Sequence, residues 1–295
     1  MTPQVNLDGA LIPEDEATVS IHDRGFRYGD GAFETMRAYG GTIFAWDAHA
    51  SRLASSCETL GFGGALPDRT ELRRRIDATL DANDLTEAYV RLTISRGADH
   101  GKLTPPSDPD PTVVVVTREL PRGGPDGEPV WDGPATLQTV RTRRIPDNAL
   151  PTDAKTLNYL NGILARLELQ RAATAEYDAD EAIMRDIEGR VLEGATSNIF
   201  AVVDGQLITP PADADLLAGI TRQIVLELAR DEEFPVLEQH LDIETLRQAN
   251  EAFLTNSTWE IRPVETIDGL GVGGGPITEL LRHRYAERVA TACYD

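Results

Sequence analysis

The sequence predicts a mixed α/β (α+β) protein of two domains, and three observations carry that expectation. Stretches with period-two alternation are interleaved with stretches whose apolar residues recur every three or four positions. The 295 residues, 41% of them hydrophobic, suffice for more than one core. One Pro/Gly-dense stretch, "PRGGPDGEP" at residues 121–129, is flanked on both sides by strand-like segments. The expected layout is a small α/β domain at 1–120, a linker at 121–129 and a larger domain at 130–295.

The elements follow in order. "EATVSIHDRGFRYGDGAFETMRAYGGTIFAW" reads as strand, glycine-rich turn, strand, turn and strand, with "YGGT" a hairpin. Residues 47–60 put Ala50, Leu53, Ala54 and Cys57 on one helical face, and "RTELRRRIDATLDAND" is a second helix. "YVRLTISRG" and "PTVVVVTREL" are strands, as is "ATLQTVRTRRI" beyond the linker. "TLNYLNGILARLELQRAATA" carries Leu157, Leu160, Ile163, Leu164 and Leu167 at helical spacing and reads as an amphipathic helix. "DEAIMRDIEGRVLEGATSNIFAVVDGQLITP" is a meander of short strands with a tight turn at Asp204-Gly205. "GITRQIVLELAR" is a helix, and "EAFLTNSTWEIRPVETID" returns to strands broken at "NST". No internal repeat is visible.

Charge narrows the partners. A formal charge of -21 with a pI near 4.6 repels a phosphate backbone or an anionic membrane surface, so neither nucleic acid nor membrane is expected. Acid spread along the chain, with lysine nearly absent, suits a halophilic host in which salt screens self-repulsion. The two cysteines, Cys57 and Cys293, match no metal or redox spacing, and the N-terminus lacks the basic start and apolar core of a signal peptide. A soluble, cytoplasmic protein is expected. "GLGVGG" at residues 269–274 matches the dinucleotide fingerprint in letters alone, because too few residues follow to complete a βαβ unit. It reads as a flexible loop before the last helix. The five histidines form no pair at helix-face spacing, so no metal site is expected.

One residue stands out against this background. Among 28 basic residues only Lys102 and Lys155 are lysine. Arginine can replace lysine on a surface, yet its guanidinium does not deprotonate near neutral pH and cannot form a Schiff base. A lysine retained at the start of a helix in such a chain points to a nucleophilic amine. Pyridoxal phosphate is the leading carbonyl partner for that amine, and it demands an acid beside its ring nitrogen and donors for its phosphate. Glu193 in "RVLEGATSNIF" is a carboxylate followed by small residues. Gly219, Ile220 and Thr221 in "LLAGITR" open a helix, and Ser257 and Thr258 in "LTNSTWEI" are hydroxyls in a break between strands.

The order of "RGFRYGDGAFETMRAY", "HASRL", "AKTLNYLNGILA", "LEGATSNIF", "LAGITR" and "TNSTWEIRPV" resembles the class IV aminotransferases, the fold-type IV pyridoxal-phosphate enzymes. These include branched-chain and D-amino-acid aminotransferases and aminodeoxychorismate lyases. The resemblance runs from about Val5 to Val264. It implies a small α/β domain, a larger domain with a barrel-like sheet and the cofactor between them, in a homodimer whose pocket borrows from its neighbour. It implies that Lys155 holds pyridoxal 5'-phosphate and serves as the catalytic base. Glu193 would pair with the pyridine nitrogen, and Arg52, Gly219, Ile220, Thr221 and Ser257 would bind the phosphate. Tyr159 would contact the ring oxygen, and Tyr28, Arg91 and Thr258 would line the place of an amino-acid or keto-acid substrate.

Departures leave the substrate open. Branched-chain enzymes typically read "FEG" where this chain has Phe33-Glu34-Thr35, and "YIRP" where it has "YVRLTISRG". Both lean toward the lyase and D-amino-acid branches, whereas "KTLNYLN" leans toward the aminotransferases. A transaminase for branched-chain L-amino acids and glutamate is the leading expectation, and the lyase that forms 4-aminobenzoate and pyruvate is the alternative. A non-catalytic binding protein on the same scaffold would have lost Lys155 or Glu193 first.

Overall fold

The computed structural model describes residues 2–124, 127, 130–174, 178–273 and 275–294. Its contacts divide the chain into two units: Met1–Pro121 with Ala154–Asn158 and Thr291–Asp295, and Arg122–Asp153 with Tyr159–Ala290. The stretch 154–158, expected in the larger domain, belongs to the first unit. Four positions of the expected linker, Pro125, Asp126, Glu128 and Pro129, lie outside the described residues.

The first unit opens with a hairpin of β1 (Gln4–Leu7) and β2 (Ala10–Pro13), which the sequence reading had not singled out. There follow α1 (Arg24–Tyr28), β3 (Gly31–Tyr39), β4 (Thr42–Ile43), α2 (Trp46–Thr59), α3 (Arg69–Ala82), β5 (Ala88–Ser95) and β6 (Val113–Glu119). They form an antiparallel sheet ordered β2-β1-β6-β5-β3-β4. Its core joins Leu53, Cys57, Leu72, Ile76 and Leu80 of the helices to Met36, Val90, Leu92, Ile94 and Val115 of the strands. Alternation along β5 turns Arg91 and Thr93 to the face opposite Val90 and Leu92. Two local readings change here. "EATVSI" forms no strand, and its Ile21 is 72% exposed. "DRGFRYG" is a short helix rather than a turn, because Asp23 caps the amides of Gly25 and Phe26 and Gly29 ends it at φ 66°.

The second unit comprises β7 (Ala135–Arg143), α4 (Leu160–Ala172), β8 (Glu181–Arg185), β9 (Val191–Gly194), β10 (Asn198–Val203), β11 (Gln206–Thr209), α5 (Ile220–Asp231), β12 (Val236–Glu238), α6 (Ile243–Arg247), β13 (Glu251–Asn256), β14 (Glu260–Ile267), β15 (Leu270–Gly271) and α7 (Pro276–Cys293). Pairing runs β10-β13-β14-β7-β8-β9, and β9 returns to β10, closing a six-stranded barrel. The β14–β7 and β7–β8 pairs are parallel and the other pairs of the ring antiparallel. Ala135, Leu137, Ile183, Val191, Ile199, Leu254 and Val264 form its core.

The helical spacing in "TLNYLNGILARLELQRAATA" did locate a helix, but not the face that packs. α4 begins at Leu160 and buries Ala165 and Leu169, whereas Leu160, Ile163 and Leu164 are 62%, 52% and 46% exposed. In "GLGVGG", Leu270–Gly271 is the edge strand β15 against β14, and Gly274 lies outside the described residues. Among the described residues no helix is long and apolar enough to cross a membrane, and no three metal-binding side chains cluster.

Candidate active site

In the first unit the segment carrying Lys155 is stapled to β3. Phe33 N donates to Lys155 O at 3.0 Å, Leu157 N to Gly31 O at 2.8 Å and Lys155 N to Ser56 Oγ of α2 at 3.0 Å. The glycines of "RYGDGAFET" make room for it. A Cβ on Gly31 would stand 2.4 Å from Ile94 O and 2.7 Å from Leu157 Cδ1, and one on Gly29 2.9 Å from Asn158 Cβ. Lys155 Nζ sits 4.6 Å from the Phe33 ring centre and the Arg91 guanidinium 3.8 Å from it, with Arg91 Nε donating to Thr93 Oγ1 at 3.2 Å. Tyr28 accepts at its hydroxyl from Arg27 Nη2 at 2.8 Å.

Arg52 reaches from α2 to Glu34 with two bonds, Nε to Oε1 and Nη2 to Oε2, both 2.7 Å. His49, one turn earlier, meets Glu34 Oε2 at 2.8 Å. Burial alone would raise the Glu34 carboxyl, but Arg52 and then His49 outweigh it and hold it down at about 2. Burial also holds His49 below its ordinary value, although Glu34 favours its charged form. Arg52, expected on a phosphate, is therefore a guanidinium fixed in orientation by an ionised carboxylate.

In the second unit Glu193 lies on β9, buried to 8% exposure. Arg144 Nε donates to its Oε1 at 2.5 Å and Leu217 N to its Oε2 at 3.1 Å. Across the β9–β10 pair, Asn198 receives Gly219 N at 3.1 Å and donates to Leu217 O at 2.9 Å. A Cβ on Gly219 would stand 2.1 Å from Asn198 Oδ1. Gly219 caps α5 with no side-chain bond, so the Ile220 and Thr221 amides head the helix at its positive end. Asn256 Oδ1 accepts from Thr258 N, Thr258 Oγ1 and Trp259 N, a turn that displays Ser257. Tyr159 is the residue before α4.

Residues 31–267 match the amino-transferase class IV family. The chain belongs to the class IV aminotransferases. It is 36% identical over 288 residues to a putative branched-chain-amino-acid aminotransferase of Methanocaldococcus jannaschii, covering 96% of each chain. It is 34% identical over 298 residues to the D-alanine aminotransferase of Listeria monocytogenes, covering 98% of this chain and 97% of that one. Among solved structures it resembles the branched-chain aminotransferase of Thermoproteus uzoniensis with norvaline, at TM-score 0.88 and 30% identity over 99% of this chain and 96% of that one. The branched-chain aminotransferase of Escherichia coli gives 0.86 and 29% over 97% and 94%. The 4-amino-4-deoxychorismate lyase of Pseudomonas aeruginosa gives 0.81 and 30% over 96% and 98%.

Several residues of this class IV aminotransferase escaped the sequence reading. Glu34 stands in a quoted motif, and His49 and Arg52 fall one turn apart on a helix, a spacing that could have suggested their shared carboxylate. Arg144 left only the double arginine of "RTRR" as a trace. Glu181, buried completely, accepts from Ala182 N, Ala195 N, Thr196 N, Thr196 Oγ1 and Ser197 Oγ and so fixes the turn after Glu193. Nothing in one sequence announces that role.

Proposed function

We propose that this class IV aminotransferase uses pyridoxal 5'-phosphate to move an amino group between an amino acid, a branched-chain L-amino acid or glutamate, and a 2-oxo acid. The observation that carries the reading is Lys155, one of two lysines in the chain, on a segment bonded to β3 through the backbone of Lys155 itself and of Leu157. The donor set fits the cofactor. It offers an amine, a buried carboxylate bonded to an arginine, and a helix start where glycine leaves room for Asn198 to hold the cap. When bound, pyridoxal phosphate supplies an electron sink for the pair left at the substrate's Cα.

Lys155 Nζ would hold the cofactor through its carbonyl carbon and would be set free when a substrate amine binds there. Once free, the Lys155 amine would take the Cα proton and hand it to the carbon on the far side of the substrate nitrogen, two atoms along. Glu193 would stand beside the ring nitrogen, and Arg144, bonded to its Oε1, orients that carboxylate. The amides of Ile220 and Thr221 following Gly219, the Ser257 hydroxyl and the Arg52 guanidinium would bind the phosphate. Tyr159 would contact the ring oxygen, and Tyr28, Arg91 and Thr258 would contact the substrate.

Spectra of the half-reaction test this. L-Leucine or L-glutamate should convert the pyridoxal form to the pyridoxamine form, and a 2-oxo acid should restore it. Conversion by D-alanine alone would move the assignment to the D-amino-acid branch. 4-Aminobenzoate and pyruvate from aminodeoxychorismate, with no conversion by any amino acid, would make the protein a lyase.

The outward face of Leu160, Ile163 and Leu164 supports a homodimer, which a single-chain mass by light scattering would exclude. Free Cys57 and Cys293 and the charge of -21 suit a reducing cytoplasm of high salt. A melting temperature unmoved by molar salt would remove the halophilic reading.

A further inference from the structure

Most buried or half-buried arginines here hold an acceptor. Arg24 and Arg96 hold Asp30, Arg222 holds Glu238, and Arg262 holds Asp180. Arg143 and Arg185 break the pattern. They are register partners at the ends of the parallel strands β7 and β8, so their Cα atoms are lateral neighbours. Among the described residues no carboxylate, carbonyl or hydroxyl accepts from either side chain. Arg143 Nη1 and Arg185 Nε are both buried without a hydrogen-bond partner. The nearby acid is committed elsewhere: Asp268 accepts from Thr139 N at 2.6 Å, Thr139 Oγ1 at 2.8 Å, and Arg247 Nε and Nη2 at 3.0 and 2.6 Å.

Arginine cannot shed its charge, and an unsatisfied buried guanidinium N–H carries a desolvation cost. Burial, and after it the charge of Arg143, pull the Arg185 guanidinium below its ordinary value, with Asp268 opposing and Arg247 adding to the pull. Two adjacent cations with no hydrogen-bonded acceptor among the described residues, in a chain of net charge -21, suit an anion with two charges. Planar guanidiniums match tetrahedral oxyanions with paired N–H donors.

We propose that Arg143 and Arg185, with Arg247 beside them, form a binding site for a phosphate dianion, separate from the residues assigned to the cofactor. The inference does not depend on the proposed reaction, because none of its residues is among those assigned there to the cofactor or substrate.

The test is calorimetric titration of inorganic phosphate into enzyme saturated with pyridoxal phosphate, so that its own phosphate donors are occupied, with chloride at matched ionic strength as the baseline. Saturable binding is expected, at least tenfold weaker in Arg143→Gln and in Arg185→Gln, and weaker at pH 5.5 than at pH 8 as the dianion gains a proton. No saturable heat above chloride, or unchanged binding in both variants, overturns the proposal. Should the variants fold poorly, phenylglyoxal labelling of the wild type decides: phosphate must protect Arg143 and Arg185 while the surface Arg118 still reacts. Equal labelling with and without phosphate also overturns it. Competition by glycerol 3-phosphate would identify a phosphate ester as occupant, and its absence free phosphate.

Discussion

The segment bearing Lys155 and the strand bearing Glu193 are fixed in opposite ways. Lys155 is held at its root: backbone bonds tie the segment to β3 and α2, and glycines at 29 and 31 yield the space it fills. Glu193 is held at its tip, by Arg144 and the Leu217 amide, on a strand of a closed barrel. Under the proposed function the Lys155 amine would carry a proton between two carbons, and a fixed root below a side chain of four torsions suits that task. A counter-ion has to hold its charge at one point, so fixing the tip suits that role.

The largest effect tests the role proposed for the Lys155 amine. Lys155→Ala should lower turnover by about 10⁴-fold or more, since base and anchor are lost together. Borohydride reduction of the loaded enzyme should attach the cofactor to Lys155. An adduct mapped to Lys102 would falsify the assignment.

Next in size is the fixed tip. Glu193→Gln preserves shape and removes charge, and turnover per folded molecule should fall on the order of 10²-fold to 10³-fold, beyond any loss of stability from leaving Arg144 without its counter-charge. Restoring the contrast from the other side, Gly31→Ala should act on the root: a Cβ 2.4 Å from Ile94 O cannot fit without displacing β5 or the Lys155 segment. A stability loss of about 1–3 kcal/mol is expected in urea unfolding. Equal stability of Gly31→Ala and wild type would show that the segment does not depend on that close approach.

The same contrast explains what the sequence could disclose. Lys155 could be proposed from the sequence because arginine had replaced lysine nearly everywhere else, and Glu193, Gly219 and Ser257 because their motifs stand in the order of a known family. The contacts of Glu34, Arg144 and Glu181 could not, because each joins side chains brought together only when distant segments meet. Periodicity likewise located α4 without saying whether its apolar stripe of Leu160, Ile163 and Leu164 faces inward. For "EATVSI" alternation suggested a strand where no neighbouring strand pairs with it. For "DRGFRYG" the Asp23 cap and the Gly29 terminus were helix signals outweighed by the glycine count.

The smallest effect concerns the carboxylate beneath the root. Glu34 is lowered from 4.5 to about 2 in the folded protein, against burial, by Arg52 and His49. A depressed folded value means that the unfolded chain binds the proton first. The stabilisation is therefore complete above pH 4.5 and is lost as pH falls from there toward 2, and it is at most about 3 kcal/mol. His49, also depressed in the folded state, adds an earlier loss beginning below its ordinary value of 6.5. Glu34→Gln keeps an acceptor for His49 but leaves Arg52 without its counter-charge, so the variant should be less stable than wild type at pH 7. The difference between the two, read from urea unfolding at each pH, should shrink steadily between pH 4.5 and pH 3. A difference that stays constant over that interval would mean that Glu34 is not the ionised partner of Arg52. The orientation of that guanidinium would then owe nothing to charge.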